Sequence, residues 1–141
     1  MLSTVRALFI ILAVSFATTG STTALADDSG DAKGIITGQI EAFLRDDGAT
    51  AYGFASPNIQ AMFPSISDFM AMVRGGYAPV YHPQHYQFGA QSTTGDKILQ
   101  SVDLIAADGT AWIAEYTLAR QADGSMKIEG CRLVKLAGVG A

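Results

Sequence analysis

The sequence predicts an α+β domain with N-terminal helices packed on a curved four-stranded antiparallel meander, and three observations predict it. Apolar residues recur at steps of three and four as far as Tyr81, and at steps of two beyond Pro83. Turn signals then return at short, regular spacing, two of them the Asp-Gly pairs Asp108-Gly109 and Asp123-Gly124. A run of helices followed by a run of strands puts the helices on one face of an antiparallel sheet.

Residues 1–26 read as a cleaved export signal. Arg6 supplies the positive start, Ala7–Ala17 is apolar throughout apart from Ser15, and Ala24-Leu25-Ala26 before Asp27-Asp28 has the small-x-small form of a cleavage site. The apolar run falls short of the ~20 residues that cross a bilayer. The expected location is periplasmic or secreted, with no membrane segment once the signal is removed. Asp27–Gly34 is small, polar and acidic, and is expected as a flexible lead-in to a single domain over 35–141.

Ile36, Ile40, Phe43 and Leu44, then Ala51, Phe54 and Ala55, draw one apolar stripe along a helix that bends near Asp46-Asp47-Gly48, where Asp47 caps a second segment. Ser56-Pro57 has the order of an N-cap and a first-turn proline, opening a short helix that ends before Pro64. Ser67 is expected to start another, which carries Phe69, Met72, Val73 and Tyr77 and ends at Gly75-Gly76.

Strands are expected at about His85–Ser92, Lys97–Ala106, Ala111–Arg120 and Met126–Leu136. Parity puts Ile98, Val102 and Leu104 on the helix-facing side of the second, and Trp112, Ala114, Tyr116 and Leu118 on that side of the third. In the fourth strand the apolar set slips by one, from Met126 and Ile128 to Cys131 and Leu133, which predicts a bulge at Gly130. Trp112 is expected to anchor the core.

The stretch Gln39-Ile40-Glu41-Ala42-Phe43, then Asp46-Asp47, Phe54-Ala55-Ser56-Pro57, Met72-Val73-Arg74-Gly75-Gly76-Tyr77 and the closing Asp123-Gly124 through Ile128 to Leu133, resembles the bacterial family called domain of unknown function 4864. The resemblance covers nearly all of the chain after the signal. It implies a cone-type, nuclear transport factor 2-like (cystatin-like) fold and carries no catalytic residue. Met126 departs from the tryptophan usual after that glycine, which implies a looser fit there.

Folds of this type often enclose an apolar cavity between helices and sheet. Tyr77, Trp112 and Tyr116 are expected to line it, with Arg74 and Arg120 orienting the acidic group of an amphipathic ligand or pairing with Glu41 or Asp123 at the surface. An isomerase or dehydratase needs an ionisable group in the cavity, but parity turns Asp103 and Glu115 to the opposite face. Cys131 reads as a buried inert thiol. His82 and His85 flank Pro83 and do not share a face, so no metal or cofactor is expected. The leading reading is an uncharacterised exported domain that binds a small apolar or amphipathic ligand or a protein partner; the alternatives are an isomerase- or dehydratase-like enzyme and a purely structural interaction module.

Without the signal the chain sets eight basic residues, scattered singly, against 13 acidic ones. That excludes nucleic acid, which demands clustered cations. A lone cysteine leaves the domain to fold by core packing without an internal disulfide. Leu99, Ile105 and Ile113 share the outer sheet face, and three aliphatic residues there predict a homodimer surface.

Overall fold

The computed structural model describes residues 22–137. The expected signal lies, up to residue 21, outside the described residues. The first helix, α1 (Thr22–Leu44), is followed by α2 (Gly48–Gly53), α3 (Pro57–Met62), α4 (Ile66–Gly76) and α5 (Ala78–Tyr81), then by strands β1 (His85–Thr94), β2 (Lys97–Ile105), β3 (Ala111–Arg120) and β4 (Met126–Lys135). The strands form one open antiparallel sheet in the order β1-β2-β3-β4. The fold is α+β, as the two apolar periods require.

Helix α1 begins earlier than expected, because Asp27–Gly34 is its N-terminal part and not a separate lead-in. Asp28 and Asp31, three apart and so on one helix face, both pair with Arg120 at the end of β3, and Ala32 is fully buried. The helix stops in a Schellman arrangement: the Asp46 N–H donates to Phe43 O at 3.0 Å and the Asp47 N–H to Ala42 O at 2.8 Å. Asp46 takes the left-handed conformation (φ 56°) usually left to glycine. Its carboxylate accepts from the Tyr81 hydroxyl and meets His82 Nε2 at 3.1 Å, and the Tyr81 contact above all holds it below the ordinary aspartate range. A polar clamp from α5 thus fixes the strained corner.

Asp47 then caps α2, accepting from Thr50 N–H at 3.1 Å, and Ser56 caps α3 ahead of Pro57. The cap of α4 is Ser65 and not Ser67: Ser65 Oγ accepts from Asp68 N–H at 3.0 Å, which leaves Ser67 inside the first turn. Helix α5, with Pro79 in its first turn, was not expected from the apolar period.

The three hairpins turn through Gly95, Gly109 and Gly124, all at positive φ. The inner face of β2 is fully alternating and includes Gln100, which is completely buried. Its amide answers a bulge in β1, where Gly89 and Ala90 stand opposite Ser101 alone: Nε2 donates to Gly89 O at 3.2 Å, and Oε1 accepts from Gln91 at 2.8 Å. A polar residue is tolerated there because its amide satisfies the carbonyls that the bulge frees.

In β4 the register slips as the apolar pattern predicts, but the extra residue is Glu129, between the pairs Leu118–Ile128 and Thr117–Gly130. Beside the slip, Phe54–Ser56 pairs with the strand edge in parallel: Ile128 N–H donates to Phe54 O at 2.9 Å and Ser56 N–H to Ile128 O at 2.8 Å. Gly38 lets this segment approach α1, since a Cβ at that position would stand 2.7 Å from Phe54 Cζ.

The core gathers Ile36, Ile40 and Phe43 of α1, Phe69 and Val73 of α4, and Val102, Leu104, Tyr116 and Leu118 of the sheet. Trp112 shares their face but is only half-buried at the sheet's end, with Lys135 Nζ 5.9 Å from its ring centre, so it borders the core and does not anchor it. Phe43 holds the centre, stacked on Phe69 at 6.3 Å and edge-on to Tyr81 at 6.2 Å. In urea melts Phe43→Ala is expected to lose about 3–5 kcal/mol and Trp112→Ala clearly less, because only the first empties an enclosed site. Equal losses would return Trp112 to the core.

Candidate functional site

The helical layer and the sheet do not close on each other completely. Between them lies a cavity of about 230 Å³. Its walls come from Phe43 of α1, Ile59 and Met62 of α3 with the Phe63 that follows it, Phe69, Met72 and Val73 of α4, Tyr77, Val80 of α5, Tyr116 of β3 and Ile128 to Cys131 of β4. Helix α3 borders it with side chains of which none is fully buried, and Met62 at its end is 67% exposed. Tyr52 holds α3 in place, its hydroxyl donating to Phe63 O at 2.7 Å while Gln60 Nε2 donates to Tyr52 O at 2.9 Å.

Few polar groups meet this space. Gln39, 5% exposed, lies on the α1 side and donates Nε2 to Ala51 O at 3.1 Å. Opposite, Tyr116 pairs with Cys131 across the β3–β4 ladder. Among the described residues the Tyr116 hydroxyl is buried with no partner other than the adjacent Cys131 thiol, a weak one. Burial lifts the Tyr116 phenol well above its ordinary range. Part of Cys131 stays accessible, yet burial of its thiol pushes it up to about 12, against the opposing pull of the Tyr116 hydroxyl. Both groups are therefore protonated and neutral at pH 7.

Among the described residues Glu129 is the one charged residue along the cavity, and its carboxylate pairs with Lys97. Of the residues expected at the site, Tyr77 and Tyr116 line the cavity, whereas Trp112, Arg74 and Arg120 do not. Arg120 is drawn away to Asp28, Asp31 and Gly124 O. Arg74 is exposed in the last turn of α4, near Asp46 and Tyr81. Neither pairs as expected with Glu41 or Asp123: Glu41 accepts from the Tyr86 hydroxyl at 2.8 Å, and Asp123 from Ser125. Sequence reasoning missed Gln39, whose place on the inner stripe of α1, one residue before Ile40, was the available signal.

Asp103 and Glu115 stand on the outer face as parity requires, Glu115 paired with Arg132. His82 Nε2 lies 2.9 Å from Phe43 O, and His85 opens β1 on the exposed side. Among the described residues no three His, Cys, Asp or Glu side chains gather as metal ligands. Leu99 is exposed on the outer face and Ile105 and Ile113 are half-buried there.

A solved structure shares this architecture. It is an NTF-2-like protein of unknown function from Silicibacter pomeroyi, 14% identical, aligned over 79% of this chain and 98% of its own with a TM-score of 0.57, a likeness of fold alone. No curated protein matches the sequence. The family model described as Domain of unknown function (DUF4864) matches residues 25–141, nearly all of the NTF-2-like fold just described, and the chain belongs to that family.

Proposed function

We propose that this is an exported binding protein whose cavity takes a small, largely apolar ligand. One observation carries the reading: a space of about 230 Å³ between the helices and the sheet, walled mostly by aromatic, methionine and aliphatic side chains. A void of about 150 Å³ lined by apolar groups already holds benzene, so this one suits a ligand of roughly eight to twelve heavy atoms. The isomerase or dehydratase alternative is less well supported, since the phenol and thiol at the cavity are held protonated and the carboxylate there is neutralised by Lys97. In protein-observed NMR, 4-ethyltoluene is expected to shift the resonances of Val73, Tyr116 and Cys131, and Ile59→Trp, which fills the space, to abolish the shifts. An unperturbed spectrum at saturating probe would reject the cavity as a binding site.

Export rests on the sequence of residues 1–26. The chain recovered outside the cytoplasm is expected to begin at Asp27; mass spectrometry that finds Met1 retained would reject it.

The outer sheet face supports a second copy of the chain as partner. Leu99, Ile105 and Ile113 lie there with Val134 opposite Ile113, and a groove of about 380 Å³ runs past Leu99, Glu115 and Arg132. A two-fold pairing offers each Glu115 and Arg132 to its counterpart. Light scattering is expected to find a dimer that Ile113→Lys dissociates without loss of the fold, and a monomeric wild type at micromolar concentration would end the idea.

A further inference from the structure

Resting on the cavity-binding reading above, we infer that the ligand is an uncharged hydrophobe bearing a hydroxyl, held by Gln39. The amide of Gln39 is oriented by its surroundings. Ala51 O can only accept, so Nε2 must face it, and the 3.1 Å contact fixes that choice. Oε1 is then turned the other way, on a residue that lines the cavity and is 95% removed from solvent. No group among the described residues donates to it. Oε1 is not itself sealed off, so it keeps access to the cavity, where a ligand hydroxyl can donate to it.

The Tyr116 hydroxyl is sealed from solvent beside the Cys131 thiol, so Gln39 Oε1 is the acceptor left for the ligand. A hydroxyl is a group that donates to it without bringing charge. Charge selects in the same direction. Arg74 and Arg132, next in sequence to the wall residues Val73 and Cys131, are exposed, and the acidic Glu129 along the cavity already takes up Lys97, so among the described residues no free cation there compensates the desolvation of a carboxylate.

Four aromatic probes of equal heavy-atom count separate these terms by calorimetric titration of the folded protein: 4-ethyltoluene, 4-ethylphenol, acetophenone and benzoate. The wild type is expected to bind 4-ethylphenol roughly tenfold more tightly than 4-ethyltoluene. Acetophenone, which accepts but cannot donate, should follow the hydrocarbon, and benzoate should bind most weakly. Gln39→Met should bring the phenol down to the hydrocarbon's affinity while leaving the hydrocarbon unchanged. The wild-type series decides the question by itself should that variant fail to fold. Equal binding of phenol and hydrocarbon, or a phenol preference that survives in Gln39→Met, would overturn the role of Gln39 and leave the cavity reading standing. Benzoate as tight as the phenol would overturn the exclusion of charge. Absence of binding by all four would overturn the cavity reading itself.

Discussion

Two main-chain hydrogen bonds at Ile128 tie the helical layer to the sheet. Through them Phe54–Ser56 becomes a short parallel partner of β4, in the middle of the chain's turn from α2 into α3. The pairing has three consequences at once. It covers an edge strand that would otherwise offer free N–H and C=O groups. It fixes where α3 starts, since the Ser56 that pairs is also the cap of that helix. And it sits beside the Glu129 bulge, after which Cys131 instead of its neighbours faces inward opposite Tyr116. Ala55 and Ile128, which make this pairing, also line the cavity, so the same contact forms part of its wall.

Polar chemistry inside the domain is tightly allocated, which makes the exceptions informative. Gln100, wholly buried, is occupied by the β1 bulge and by Gln91. Tyr86 is tied to Glu41, and burial together with that carboxylate lifts its phenol to about 12. Tyr52 is spent on the backbone of α3. Among the described residues Gln39 Oε1 is left without a protein donor beside the cavity, while the Tyr116 hydroxyl is buried against Cys131. In the proposed binding role it is Gln39 that would give an otherwise apolar space a directional preference.

The sequence made the elements legible because their punctuation is local. Asp47, Ser56-Pro57 and the glycines of the three turns act through hydrogen bonds and φ values settled within a few residues, and each did what its type predicts. The slip in the apolar pattern of β4 was likewise readable, because burial alternates with the backbone. Long-range partners were not readable. Asp28 and Asp31 look like the polar start of a loose segment until Arg120, some ninety residues away, arrives to hold them. The same contacts take Arg120 away from the cavity walls, so the acidic start of α1 and a cation expected at the cavity meet at the end of β3 instead. Trp112 erred differently: parity gave its face correctly but says nothing of how far along the sheet the helices extend.

The arginine placement bears on more than one residue's role. An amphipathic acid would require a cation at the cavity, and the fold instead uses Arg120 as a fastener at the α1 to β3 junction and leaves Arg74 exposed near the Asp46 corner. Moving Arg120 inward would cost the contacts that hold the start of α1 against the sheet. Structure and the proposed selectivity are thus coupled through charge: the ion pairs that hold α1 against the sheet also keep Arg120 from the cavity. In the proposed binding role, recognition there would fall to shape, to dispersion contacts with Phe43, Phe69 and Met72, and to Gln39.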